Sequence, residues 1–446
     1  MTKLTDPQHS VLSSLFAAAP NAAVETLERA LACEAPQGGA IAEVYDLIAA
    51  EAADRRMRAH AFGPISALCR TTNGTPSRFP IEVLKPLWKA VCAVRPEMVE
   101  RLRYADARRA DPEASRELEA CDQLCAAAAA GLRAPSEEFV AVVGILRQLK
   151  PDGPEEFAGM LDLAPVARRA MERLPEWVGR ASEEKSAAMR LAYRDAVALA
   201  DDAGPRLFDI LYANLSEPWL VLRVLSAVMD RPADRYVAVS ELARIGEAVL
   251  DDIDRRLAAF RDFNPAEGRT AGVAAGNILH VVSQEVAEFE TAIELSKEGI
   301  WGKRIAKQKQ SLAILAETRL GQIEKAVDAA LPQQMVRFGK SLKGHPKLVA
   351  DPDPVAQRKA EGLLAFFAHC RSSANQSGYG SARAKVGEKL EEKLDEYIEN
   401  LLETLRAEEV EALDRVKAYM EVAARFVDTA QGEQAGQLVR RRAAAA

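Results

Sequence analysis

Apolar residues recur along nearly the whole chain at steps of three and four, and no segment shows a convincing alternation of apolar and polar residues. Such steps place apolar side chains on one face of an α-helix, whereas a half-buried strand requires alternation. Breaks rich in proline and glycine separate short helical segments, which favours antiparallel neighbours. The pattern therefore predicts an all-α fold: an irregular antiparallel helical array followed by a long-helix bundle with a coiled-coil-like C-terminal region.

The character of the chain changes after the segment FNPAEG at 263–268, since residues 270–331 give long helical text with few breakers. We predict a boundary near residue 265, with the irregular array in 1–265 and the long-helix bundle in 266–446. Residues 382–430 are predicted to form one amphipathic helix, on the order of 70 Å long at 1.5 Å per residue. The segment SSANQSGYGS (372–381) predicts a flexible loop, and the terminal RRRAAAA predicts a frayed tail.

Residues 215–260 contain two amphipathic arms, and the connection between the arms lies at Asp230 to Asp234. This predicted helical hairpin resembles one unit of a HEAT-type α-solenoid. The earlier segments differ in length, and no fixed repeat period connects them. An irregular array is therefore favoured over a true solenoid.

The composition indicates how many packed units the chain forms and where in the cell it is located. A chain of 446 residues with 48% hydrophobic and 28% charged residues is expected to fold into two or three packed units. Six cysteines without metal-binding spacing indicate reduced core residues. No apolar run approaches the ~20 residues that span a bilayer, and Asp6 with Pro7 marks a helix start instead of a secretory signal. A cytoplasmic location is expected.

Three aspartates and two arginines lie close together in the stretch LDDIDRR. Asp251, Asp252 and Asp254 resemble the DDxxD motif of helical isoprenoid synthases, in which carboxylates hold magnesium and thereby a diphosphate. The match fails one turn after Asp251, where Arg255 stands, and no second aspartate-rich helix faces the first. The aspartates are therefore predicted to be a solvated face, where the first two pair with the arginines four residues on.

No motif for nucleotide, metalloprotease, di-iron or serine-hydrolase chemistry is found, and no catalytic, metal-binding or cofactor-binding residue is assigned. His280 lies near Glu285 and Glu288, but a lone histidine is interpreted as a half-buried residue with satisfied hydrogen bonds. No cofactor is expected. A metal-dependent all-α enzyme around Asp251–Asp254 or His280 is kept as an alternative. Separately, Gly272 and Gly276 form a small-residue face that predicts close helix packing inside the protein.

Charge is distributed unevenly over the second half of the chain. Residues 297–347 hold eleven Lys or Arg and four acids, whereas residues 388–414 hold eleven acids and three Lys or Arg, in a chain of net charge −7. The two segments are expected to pair within the monomer or across a dimer; a solvated face and an external anionic partner are the alternatives. For an external partner, the candidate surface is Lys297, Trp301, Lys303, Arg304, Lys307, Lys309, Arg337, Phe338, Lys340 and Lys343.

Extended helical surface without catalytic motifs favours a non-enzymatic cytoplasmic scaffold or adaptor that acts through protein–protein interaction. Its partners are proteins of unknown identity, and a homo-oligomer through the C-terminal helices is a further expectation. The first alternative is a regulator that docks on an anionic partner through 297–347. Nucleic acid and an anionic membrane surface are less favoured partners, because the chain is acidic overall and poor in aromatic residues.

Overall fold

The computed structural model describes residues 4–33, 39–71, 77–107, 114–179, 182–229, 232–338, 341–406 and 413–446, with side chains except at 105–107, 114–116, 336–338 and 341–343. Most of the described residues are helical, which confirms the predicted all-α fold. The composition explains this result, because alanine, leucine, glutamate and arginine lose little side-chain freedom in a helix.

The chain forms two compact units, Met1–Asp230 and Arg231–Ala446. The helices of the first unit are α1 (Asp6–Ala18), α2 (Asn21–Ala32), α3 (Ala40–Ala61), α4 (Gly63–Ser66), α5 (Leu84–Val94), α6 (Pro96–Ala107), α7 (Ala114–Arg133), α8 (Val140–Leu149), α9 (Gly153–Asp162), α10 (Ala164–Trp177), α11 (Glu183–Val197), α12 (Ala203–Asn214) and α13 (Val221–Met229). Single 3-10 turns lie at Ala67–Cys69, Ile81–Val83, Glu137–Phe139 and Pro218–Leu220.

Small side chains on α7 form part of the core of the first unit. Cys121, Cys125 and Ala128 are fully buried on one face of α7, which packs on α9. Burial raises the pKa of Cys125 to about 12, so its thiol stays protonated. All six cysteines of the chain are free thiols, and four of them are buried, in agreement with the predicted core role.

The second unit contains nine α-helices and a two-stranded sheet within its described residues. In chain order these are α14 (Asp234–Val237), α15 (Ala243–Arg261), α16 (Arg269–Ala292), α17 (Ile300–Leu320), α18 (Ile323–Ala330), β1 (Gln333–Phe338), β2 (Ser341–Pro346), α19 (Pro354–His369), α20 (Gly380–Arg406), α21 (Leu413–Gln431) and α22 (Glu433–Ala444). A 3-10 turn at Pro265–Glu267 precedes α16.

The small-residue face of α16 packs on α19, as predicted. A Cβ atom at Gly272 would overlap the carbonyl oxygen of Gly362 and lie 2.9 Å from the Cβ of Ala365. A Cβ at Gly276 would lie 2.5 Å from the Cβ of His369. The two helix backbones therefore approach too closely for any residue larger than glycine at these positions.

The two units divide between Asp230 and Arg231, and not near residue 265 as the breakers predicted. The breaker segment is packed inside the second unit: Pro265 is buried, and its carbonyl oxygen closes the space beside Gly362 of α19. Proline and glycine mark the end of a helix, but the resulting turn can pack as tightly as the helices that it joins. The composition change thus indicated a turn and not a linker.

The HEAT-like hairpin predicted over 215–260 is not formed as one structural unit. Its first arm is α13, which packs on α11 in the first unit, and its second arm is α15, which packs on α16 and α17 in the second unit. An amphipathic face shows that a helix is packed but does not identify the helix that covers it.

The sequence pattern did not predict the hairpin of β1 and β2. The strands pair antiparallel, with Gln333 opposite Pro346 and Phe338 opposite Ser341. They carry few apolar residues and no regular alternation. Backbone pairing holds the hairpin, and the side-chain amide of Asn400 on α20 donates a 3.0 Å hydrogen bond to the carbonyl oxygen of Gly344.

The prediction of one long helix over 382–430 is wrong. The segment forms two helices, α20 and α21, which pack against each other. Residues 407–412 contain no proline or glycine, but the apolar stripe is interrupted there, because Glu408 and Glu409 occupy the positions one turn after Leu405. The prediction of a single helix passed over this interruption.

The predictions of a flexible loop at 372–381 and a frayed tail are also corrected. Ser377 hydrogen-bonds to Ser283 of α16, and the buried hydroxyls of Ser373 and Tyr379 lie 2.6 Å apart. In the tail, Arg440 of α22 binds Asp428 at 2.8 Å. Within the described residues, no helix combines the length and the apolarity that crossing a membrane requires.

Candidate interaction surface

Helix α17 contains five of the ten predicted candidate residues, and its start is fixed by a buried carboxylate. Asp234 of α14 is 1% exposed and accepts hydrogen bonds from the backbone N–H groups of Trp301 (3.4 Å) and Gly302 (3.2 Å). A carboxylate at a helix N-terminus satisfies otherwise unpaired N–H groups and interacts favourably with the helix dipole. The side chain of Asp234 also fills the space beside Gly299, and the carbonyl oxygen of Ser296 fills the space beside Gly302.

Trp301 is a core residue, which corrects its assignment to the exposed surface. The indole is fully buried, packs edge-on against Phe289 with 5.4 Å between ring centroids, and donates a 2.5 Å hydrogen bond from Nε1 to Glu247. Gly246 of α15 provides the space for the ring. The periodicity of α17 supports this placement, since Ile305, Gln308, Leu312, Ala316 and Leu320 are buried on the same face.

Arg304 binds the aspartates that the sequence assigned to solvent. Its guanidinium lies 2.5 Å from Asp251 and 2.7 Å from both Asp254 and Glu247. Partial burial alone would lower the pKa of Arg304, but its hydrogen bonds to Asp251 and Asp254 raise it. The two aspartates are exposed, as predicted, and their charge is balanced by an arginine of the neighbouring helix α17.

The prediction that Asp252 lies on the solvated face is wrong, because its side chain is only 2% exposed. The predicted pair with Arg256 is present at 3.0 Å, and Arg255 also contacts Asp252. Arg256 further binds Glu285 of α16 at 3.2 Å, and Glu285 is 1% exposed. Helix α15 packs on both α16 and α17, so its buried arc is wide enough to include Asp252.

Burial and the neighbouring charge of Asp252 raise the pKa of Glu285 to about 9, although Arg256 opposes this shift. Among the described residues, the Oε2 atom of Glu285 has no hydrogen-bond partner. A neutral carboxylic acid tolerates this burial far better than a carboxylate does. Near neutral pH, the buried site therefore favours the protonated form of Glu285.

Glu285→Gln is expected to stabilise the protein increasingly as pH rises. The pKa of Glu285 is about 9 in the folded protein and 4.5 in the unfolded one. The wild-type protein therefore keeps the stability that this shift contributes below pH 4.5, and loses it as pH rises from 4.5 to about 9. Glutamine does not titrate at this position, so the advantage of the variant should grow by about 1.4 kcal/mol per pH unit and reach on the order of a few kcal/mol at pH 8. Urea unfolding of both proteins at pH 5, 7 and 9 measures the difference. An advantage that does not change with pH would contradict a protonated Glu285.

The four other candidate lysines in and before α17 are exposed, except Lys309, which is half-buried. Lys309 binds Glu290 at 2.8 Å and Lys303 binds the exposed Glu298 at 3.0 Å. Lys297 and Lys307 are exposed, and neither forms an ion pair within the described part of the chain.

Four exposed side chains lie on one face of α17, opposite the buried one. Ile300 and Ile314 are 66% and 54% exposed, and Lys303 and Lys307 stand between them at helical spacing. We call these four residues the α17 stripe.

The other candidate residues belong to the hairpin. Arg337 and Phe338 are on β1 and Lys343 is on β2, where the backbone alone is described. Lys340 lies outside the described residues.

Within the monomer, the described contacts reverse the expected pairing of the basic segment with the acidic segment. Where residues 297–347 meet α20, the acids Glu324 and Asp328 of α18 bind the lysines of α20: Lys393 lies 2.6 Å from Asp328, and Lys389 lies 3.4 Å from Glu324. The pKa of Glu324 is lowered by Lys393 and by Lys389. Overall segment charge therefore did not predict which individual charges meet.

His280 is half-buried, as predicted, and its Nδ1 lies 3.2 Å from the hydroxyl of Ser372. Over the described residues, no group of three or more His, Cys, Asp and Glu side chains is arranged to hold a metal ion. The chain matches no family model, no curated protein and no solved structure.

Proposed function

We propose that this chain is a non-enzymatic cytoplasmic scaffold or adaptor that binds an acidic partner protein through the α17 stripe. The observation that carries the proposal is the exposure of two isoleucines on a helix that Trp301 and Arg304 attach to the rest of the second unit. Large apolar side chains on a rigid helix are suited to recognition, because binding requires little ordering of the surface. The six free thiols support a reducing compartment.

Charge and residue type favour an acidic amphipathic protein segment as the partner. Such a segment would place apolar side chains on Ile300 and Ile314 and carboxylates near Lys303 and Lys307. Nucleic-acid surfaces usually add arginines or aromatic rings that contact phosphates and bases, and the α17 stripe has neither. The net charge of −7 also repels a polyanion.

A second copy of the chain is the other candidate partner, through the C-terminal helices. Helix α20 carries exposed acids that complement the lysines of the α17 stripe. They are Glu388, Glu391, Glu392, Asp395, Glu396, Glu399 and Glu403. Of these, Glu399 contacts Arg442 of α22. Light scattering at low and high salt tests this candidate, since a complex of this type should dissociate as salt screens the charges.

The double variant Lys303→Glu/Lys307→Glu is expected to weaken partner binding about tenfold or more, because it places like charges against an acidic surface. The matched control is Lys359→Glu/Lys417→Glu, which makes the same change at exposed lysines of α19 and α21. Proteins captured by the full-length chain are compared among wild type, variant and control, with melting temperatures measured alongside. Equal capture by all three proteins would exclude the α17 stripe.

Two further measurements separate the anionic alternatives. Retention on heparin at two salt concentrations tests a nucleic-acid-like polyanion, and flotation with vesicles containing phosphatidylserine tests a membrane surface. If binding in either assay disappears in the Lys303→Glu/Lys307→Glu variant, the partner of the α17 stripe is that polyanion or membrane surface and not a protein.

A further inference from the structure

A pocket of about 170 Å³ lies in the second unit between the junction of α17 with α18 and the first turns of α20. Leu320, Ile323 and Leu390 are buried at its base, and Val386 is half-buried at its side. An engineered apolar cavity of ~150 Å³ accommodates benzene, so this volume admits an apolar group of about six to eight heavy atoms.

Three lysines of α20 line the pocket, one turn apart from each other: Lys385, Lys389 and Lys393. Glu324 also lines it and binds Lys389 at 3.4 Å and Lys393 at 3.5 Å. Lys393 is further held by Asp328 at 2.6 Å. The two carboxylates balance two of the three ammonium groups. Lys385 is exposed and forms no ion pair among the described residues, so the pocket keeps one positive charge in excess.

We propose that this pocket binds a small monocarboxylate with an apolar arm, with the arm among Leu320, Ile323 and Leu390 and the carboxylate at Lys385. The ion pair supplies orientation, and burial of the arm supplies most of the affinity. The excess of a single charge suits a monoanion better than a phosphate or a dicarboxylate. This site is separate from the α17 stripe and does not depend on it.

Hexanoate, hexan-1-ol and hexylamine are suitable probes, because they share the apolar arm and differ in charge. Ligand-observed NMR titration of the full-length protein should give hexanoate the lowest Kd of the three. Lys385→Gln should weaken hexanoate about two- to fivefold, the range of an exposed ion pair. Lys417→Gln, at an exposed lysine of α21, is the matched control and should leave every Kd unchanged.

Two variants test the pocket itself. Val386→Phe fills the space and should weaken hexanoate and hexan-1-ol alike, by about tenfold or more. Lys385→Glu turns the excess charge from positive to negative and should reverse the preference from hexanoate to hexylamine. A misfolded variant cannot produce this reversal.

Three outcomes would overturn the proposal. They are the absence of hexanoate binding to the wild type, hexanoate binding that Val386→Phe leaves intact, and equal affinity for hexanoate and hexan-1-ol that Lys385→Glu does not change.

Discussion

Arg256→Met is expected to lower the free energy of unfolding by about 3 kcal/mol or more. The guanidinium binds Asp252 at 3.0 Å and Glu285 at 3.2 Å, and both carboxyl groups are almost fully buried. Removing one partner of a buried ion pair leaves the other charge uncompensated, which commonly costs 3–5 kcal/mol. Arg255 still contacts Asp252, so we expect the lower end of that range.

Chemical unfolding at pH 7 measures this loss, and two variants support its interpretation. Arg261→Met alters an exposed arginine of the same helix and should change stability by less than about 0.5 kcal/mol. Adding Glu285→Gln to Arg256→Met should restore part of the loss, because it removes one titratable group from the buried site. If the Arg256 and Arg261 variants lose equal stability, the buried charges do not depend on Arg256.

Gly272→Ala is expected to destabilise the protein by about 3 kcal/mol. The added methyl group would overlap the carbonyl oxygen of Gly362, which belongs to the backbone of α19 and cannot rotate away. The two helices must therefore separate, and overpacking of this kind typically costs 1–3 kcal/mol or somewhat more. The better helix propensity of alanine recovers only about 0.5–1 kcal/mol.

Gly144→Ala is the matched control for this change. Gly144 lies inside α8, where a Cβ would meet no atom within 4 Å. The same substitution should there stabilise the protein by about 0.5–1 kcal/mol through helix propensity alone. Melting temperatures should therefore shift in opposite directions. A neutral or stabilising Gly272→Ala would mean that α16 and α19 are not packed at glycine distance.

Both predictions concern the helices that support the α17 stripe. Asp252, Arg256 and Glu285 join α15 to α16, while Arg304 joins α17 to α15. The charges of the basic segment thus have two different roles. Arg304 binds acids of α15, whereas Lys303 and Lys307 are exposed and are the residues that we propose for recognition. Measurements of stability and of partner binding should separate these two roles.

Local patterns in the sequence determined the helical class and several contacts within and between helices. Periodicity is a property of each helix alone, so it correctly identified α15 as amphipathic. The pair Asp252–Arg256 was predictable because residues four apart are neighbours on any α-helix. The close contact at Gly272 was predictable because a small-residue face allows two helices to pack closely.

Only the tertiary structure decided which elements meet. Trp301 lies in the core because Gly246 of another helix leaves space for it, and Asp252 is buried because α15 has two neighbours. Residues 382–430 form two helices that pack against each other, although no proline or glycine separates them in the sequence. The lysines of α20 meet the acids of α18 because charges pair by position and not by the net charge of their segments. These outcomes depend on residues distant in the chain, whereas a periodic pattern describes only neighbours along it.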